Sequence, residues 1–282
     1  MPAARRAART LNEQLARRLG VRLTRVDSAA GPRVPVRAPA DPTDRLLRRP
    51  VFVLSPMRSG STLLRLILNS HSQIHAPHET HFRKLAVELR TDRVRQAMKA
   101  LDLNQHDLEH LLWDRLLHRQ LTRSGKSVLV EKTPGNVFIV DRLALAWPDA
   151  RFVFLLRHPY SIAQSWHDSA PDRRTIEQSI AQTLRYVTAL ERARQRHSGL
   201  TLRYEDLTEQ PDREIRRVCA FLGVPWEAGM LDYGAFDHGR LTRGLGDWRR
   251  KIKSGTIQAP RALPPAEEIP DELAPTCRAW GY

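Results

Sequence analysis

The stretch VFVLSPMRSGSTLLRLILN, Val51–Asn69, joins four consecutive apolar residues, a polar turn and a second apolar pattern of different period. A strand with one face in water alternates apolar and polar residues, so the unbroken Val51–Ser55 run predicts a strand buried on both faces. The pattern that resumes at Thr62 predicts a helix over 62–69. In an open parallel sheet, ligands bind at the carboxyl ends of strands, where a turn meets a helix N-terminus. The residues of this turn suit an anion. Gly60 lets the backbone approach a bulky group, Ser61 and Thr62 offer hydroxyl and amide donors, and the helix dipole favours negative charge. Arg58 adds a full positive charge, so Arg58, Ser59, Gly60, Ser61 and Thr62 read as a phosphate cradle. The cradle differs from the nucleoside-triphosphate motif Gly-x-x-x-x-Gly-Lys-Ser/Thr, because Ser61 stands in its lysine slot and Ser55 in its first glycine slot.

Outward from this stretch, strands and helices alternate. SVLVEK (Ser127–Lys132), RFVFLLR (Arg151–Arg157) and LTLRYEDL (Leu200–Leu207) predict further strands. Helices are predicted over 83–122, up to Trp147, over 174–197 and over 211–222, with Leu108, Leu111, Leu112 and Leu116 sharing one face. The alternation predicts an α/β fold, a parallel central sheet flanked by helices. Residues 1–49 read as a basic leader followed by a Pro-rich linker, with a helix over 1–25 carrying Leu11, Leu15 and Leu19. Residues 50–282 then form the main domain, ending in a Pro-rich tail expected to drape over the surface as coil.

With 41% hydrophobic and 27% charged residues, the composition is that of a globular protein. No apolar run approaches the ~18 residues of a membrane helix. Two cysteines make no disulfide framework, and the helical setting of Cys219 predicts a buried thiol, which fits a reducing cytoplasm. The net charge is +15, and residues 1–50 hold 12 Arg against four acidic residues. No aromatic residues interleave these arginines, so nucleic-acid binding rests on charge alone and is not expected.

Four segments in order carry a resemblance. SPMRSGSTLL resembles the 5′-phosphosulfate loop of sulfotransferases that use 3′-phosphoadenosine 5′-phosphosulfate (PAPS) and release 3′-phosphoadenosine 5′-phosphate (PAP). FLLRHPYSIAQSW is similar to that family's 3′-phosphate motif, with Arg157 and Ser165 eight residues apart. LRYEDLTEQPDREIRRVCAFLGVPW resembles its tyrosine-bearing strand and following helix, and GLGDWRRKI its late Gly-x-Trp loop. The resemblance implies a P-loop-like sulfotransferase fold and PAPS as cofactor. It implies Tyr204, Trp248 and Arg243 (or Arg240) near the nucleotide, and a metal-free reaction. Residues 83–122 become a helical insertion on the substrate side, and the partner is a hydroxyl-bearing acceptor.

For catalysis, HAPHETHFRK resembles the Glu-x-His-Phe stretch of heparan-type sulfotransferases and the glutamate-bearing stretch of tyrosylprotein sulfotransferases, which implies Glu79 as base. EKTPGN resembles the family's Glu-Lys-Thr/Ser-Pro, which implies Lys132 on the transferring group, beside Arg58. His75 or His78 is the alternative base. The spacing of His71, His75, His78 and His81 matches no metal motif. A P-loop nucleotide or small-molecule kinase is the rival enzyme, and a non-catalytic polyanion-binding protein the other alternative. Oligomeric state has no sequence signal.

Overall fold

The computed structural model describes residues 36–39, 41, 44–239, 252, 254–259 and 261–282. The expected leader helix over 1–25 and the loop with Arg240, Arg243 and Trp248 lie outside these residues.

Residues 36–282 pack as one unit around a five-stranded parallel sheet in the order β2-β3-β1-β4-β5. The chain runs β1 Val51–Leu54, α1 Ser61–Asn69, β2 Ile74–His75, α2 Asp92–Ala100, α3 Gln105–Ser124 and β3 Val128–Glu131. It continues through α4 Val140–Ala146, β4 Arg151–Leu156, α5 Pro159–His167, α6 Ile176–Arg196 and β5 Gly199–Arg203. It then forms α7 Tyr204–Glu209, α8 Pro211–Leu222 and, near the end, α9 Ala274–Ala279.

The apolar strands are buried on both faces, as their lack of alternation requires. Phe52 and Leu54 of β1 join Phe82, Trp113, Trp147 and Phe154 in one core. Val51 and Val53 point the other way, onto Leu64, Ile67, Val153, Leu155 and Val218. Because β1 is central and the chain leaves it in opposite directions, its carboxyl end is the switch point of the sheet, where a crevice opens between outgoing loops.

Several elements differ from the sequence expectation. The 83–122 stretch is a short turn, an extended segment and two helices; Asn104 and Asp107 form a capping box at the start of α3, and Gly125 in the left-handed region ends it. The buried face of α3 carries Asp107, His110, Trp113, Asp114 and Leu117, while Leu112 is exposed. Leucine spacing misleads here because polar anchors hold the inner face: Asp114 accepts from the Leu46 amide at 2.7 Å, the Leu47 amide at 3.1 Å and Trp147 Nε1 at 2.9 Å. The same contacts bind residues 44–47, part of the expected linker, into the fold, with Arg45 Nε donating to the Ala146 carbonyl at 2.9 Å. Tyr204 opens a helix rather than continuing β5. The tail folds back as α9, burying Leu273, Cys277 and Trp280. Cys219 is buried and unbridged, as its helical setting predicts.

Strand β2 is only two residues long and pairs with β3. Lys126 ties the connection leading into it, donating from Nζ to the carbonyls of Asn69 (2.8 Å), His71 (2.9 Å) and Ile74 (2.9 Å). These acceptors include the free carbonyl at the α1 terminus, so one ammonium closes that end of the helix and sets the course of the chain toward residue 79.

Candidate functional site

The turn after β1 is built from two left-handed residues, Arg58 with φ 69° and Gly60 with φ 82°. Gly60 is required twice over. Its φ disfavours any side chain, and a Cβ there would stand 2.2 Å from Cδ2 of Tyr204. The Cδ2–Cε2 edge of the Tyr204 ring thus lies against the turn at Gly60. Ser59, Ser61 and Thr62 are buried, and Ser59 Oγ donates to the Pro56 carbonyl at 2.8 Å, which tightens the loop. The turn delivers its donors onto the N-terminus of α1.

On the β4 side, Arg157 leaves the strand end and donates from one terminal nitrogen to the Arg58 carbonyl at 2.6 Å. Its guanidinium lies 4.5 Å from the centre of the Tyr204 ring. Its Nε is buried without a hydrogen-bond partner among the described residues, and burial pulls its pKa down while Tyr204 and Glu205 oppose that. Arg58 Nε donates to Ser165 Oγ at 3.3 Å, so Ser165 sits against Arg58, while Ser161 shares a cleft with Arg157. That cleft, about 340 Å³ and open to solvent, is also lined by Gln164, Tyr204, Glu205 and Arg261. Ser161 and Arg261 carried no sequence signal, since serine and arginine abound elsewhere in the chain.

On the β3 side, Lys132 is completely buried and forms an ion pair with Glu79, whose side chain is 11% exposed. Lys132 Nζ also lies 3.5 Å from Thr62 Oγ1. A lysine from the adjacent strand thus brings to the cradle the positive charge that Ser61 cannot. Burial lowers the Lys132 pKa, and the Glu79 charge pushes back. Glu79 also lies 3.3 Å from His81 Nε2. Glu131, unremarked in the sequence, is fully buried and accepts from Thr80 Oγ1 (2.8 Å), Thr133 Oγ1 (2.6 Å) and Asn136 Nδ2 (2.5 Å). The available signal was an acid closing an apolar strand run, where an exposed strand end is the ordinary reading.

Arg65, one turn into α1, is buried, and burial lowers its pKa to about 10. Burial first, then the charges of Lys126 and Arg65, hold His75 down at about 4. His78 is lowered by burial first, then by Arg65 and Lys132. Both imidazoles are therefore neutral near pH 7 and weakly basic. Among the described residues no cluster of metal-ligating side chains occurs, and no helix is long and apolar enough to cross a membrane.

Cradle, lysine–glutamate pair and arginine cleft thus meet at the carboxyl ends of the three central strands, β3, β1 and β4. The model described as "Sulfotransferase family" matches residues 50–228. The nodulation protein NoeE of Sinorhizobium fredii is 31% identical over 243 residues, covering 73% of this chain and 57% of that protein. Protein-tyrosine sulfotransferase 1 of Danio rerio is 23% identical over 200 residues, covering 65% of this chain and 55% of the relative. The chain therefore spans little more than half the length of either. Among solved structures, the sulfotransferase domain from the Synechococcus PCC 7002 olefin synthase superposes with TM-score 0.63 at 21% identity, over 88% of this chain and 99% of that domain. The sulfotransferase domain from the curacin biosynthetic pathway gives 0.59 at 21% identity, over 84% and 98%. These likenesses support a P-loop-like parallel sheet, and the family match extends over the cradle and both flanking strands. The chain belongs to the sulfotransferase family.

Proposed function

We propose that this protein transfers a sulfuryl group from PAPS to a hydroxyl acceptor by in-line displacement, with Glu79 as the base. The observation that carries the proposal is the buried Lys132–Glu79 pair beside Thr62, set across the cradle from Arg157. The site fits the cofactor: residues 59–62 lead into the N-terminus of α1, and buried Arg157 Nε has no hydrogen-bond partner among the described residues. In the proposed assignment, Arg58 and residues 59–62 hold the 5′ end, while Arg157, Ser165 and Tyr204, with Arg243 and Trp248 of the late loop, hold the nucleotide and its 3′-phosphate.

PAPS supplies an activated sulfuryl group; the bond from sulfur to the acceptor oxygen forms as that to the 5′-phosphate oxygen breaks, and PAP departs with the electron pair. Glu79 takes the hydroxyl proton, since a carboxylate within reach of the nucleophile lowers the barrier to attack. Its pairing with buried Lys132 beside Thr62 favours Glu79 over His75 or His78. Lys132 faces the charge that develops on the leaving oxygen, as a fixed cation in a water-poor site. Arg58 and the amides of residues 60–62 share that charge. The acceptor wall is assigned to the helical stretch 83–122, whose Leu85, Val94, Leu101 and Leu112 expose apolar surface.

Calorimetry separates this reading from a kinase. PAP is expected to bind without metal, and ATP with magnesium to bind weakly or not at all; the reverse order would overturn the proposal. Labelled PAPS with a panel of phenols, tyrosyl peptides and oligosaccharides then identifies the acceptor.

A further inference from the structure

Three consecutive residues after β2 meet three consecutive residues at the end of β3. Glu79 pairs with Lys132, Thr80 hydrogen-bonds to Glu131, and the His81 amide donates to Thr133 Oγ1 at 3.4 Å. The middle rung is the most heavily built. Glu131 is 0% exposed, and Thr80 reaches its Oε1 with both hydroxyl (2.8 Å) and amide (3.4 Å). Thr133 occupies the same oxygen and Asn136 the other, so every donor is neutral. Burying a carboxylate is expensive, and an apolar residue with apolar neighbours at this strand position would avoid that cost. His81 adds to the picture: with φ 48° it sits in the left-handed region that β-carbon-bearing residues avoid, held there by its neighbours.

Chemistry supplies the reason for the expense. The outer rung joins the two groups that the proposed reaction must separate, since Lys132 has to meet charge on the leaving oxygen and Glu79 the acceptor hydroxyl. Once it opens, Glu79 keeps, among the described residues, only the contact with the half-exposed His81 imidazole and the hold of its own backbone. We propose that Glu131 is a positioning residue: through Thr80 it holds the backbone that carries Glu79 while the Glu79–Lys132 contact is broken. The inference rests on Glu79 as base.

The test uses Thr80→Val, which removes one hydroxyl at nearly constant shape, and Glu131→Ala. Turnover is read as transfer from labelled PAPS to the panel's best acceptor and, independently of any acceptor, as labelled sulfate released to water. A misplaced base costs on the order of 10-fold for Thr80→Val and up to about 100-fold for Glu131→Ala, with PAP affinity unchanged. In a Glu79→Gln background both substitutions should have almost no further effect, because no base is left to position. Glu131→Gln should restore most activity: buried Asn136 Oδ1 has no partner among the described residues, so a reversed Asn136 amide can accept from the new side chain. In the cofactor-free protein, hydrogen exchange over residues 79–82 should quicken in Thr80→Val while β3 stays protected. Equal losses in both backgrounds, loss of PAP binding, or unaltered exchange would each overturn the inference. Should Glu131→Ala fail to fold, Thr80→Val carries the test alone. Full turnover by Glu79→Gln is a different failure, which removes the base and this inference with it.

Discussion

The two strands flanking β1 both end in a cation, and the two ends are built to opposite specifications. After β4, Arg157 meets a carbonyl and an aromatic face, and no carboxylate pairs with it among the described residues. After β3, Lys132 is sealed from solvent against Glu79. A guanidinium that is charged at every accessible pH, in direct contact with no carboxylate among the described residues, suits a ligand whose charge is equally permanent. An ammonium matched to a carboxylate is neutral as a pair, and its charge is left uncompensated only when the partners separate. The first flank is made to hold, the second to change during a cycle.

The largest effect should break the second flank. Glu79→Gln or Lys132→Met is expected to lower turnover by about 10²–10⁴ while leaving PAP binding by Glu79→Gln intact, measured with labelled PAPS and calorimetry. Next comes the first flank: Arg157→Ala should weaken PAP binding by roughly 10–100-fold, as loss of a charge-assisted contact does, with turnover at saturation reduced far less. If Arg157→Ala and Lys132→Met gave the same split between affinity and turnover, the contrast between the flanks would be void. The smallest effect ignores the contrast. Each flank carries a histidine with a lowered pKa, half-buried His75 at about 4 beside β3 and buried His158 after β4. The unfolded chain, titrating near 6.5, binds these protons first, so stability rises with pH between about 4 and 6.5. Calorimetric Tm should therefore fall by a few degrees, roughly, on going from pH 7 to 4.5, and a flat profile would contradict it.

Why one flank was easier to read in the sequence follows from the same physics. Val51–Leu54 and Arg151–Leu156 announce themselves because double burial forbids alternation, and a cation closing such a run stands out. The cradle is local, so Gly60 and its hydroxyl neighbours were legible within ten residues. Glu131 was not, because its donors come from residues 80, 133 and 136, and Thr80 approaches across a strand pairing only two residues long. The inner face of α3 was hidden for a related reason: Asp114 is buried by partners some 67 residues upstream and 33 downstream, which no periodicity records. The tail helix was masked by the prolines that precede it, although Leu273, Cys277 and Trp280 fall at helical spacing.

The docking of residues 44–47 has a practical consequence for anyone trimming the basic leader away. A cut at residue 50, where the strand pattern starts, would remove two of the three donors that neutralise Asp114 and the arginine that closes the end of α4. The shortened polypeptide would carry an orphaned acid in its interior and should express poorly, whereas a start upstream of residue 44 keeps that seam whole.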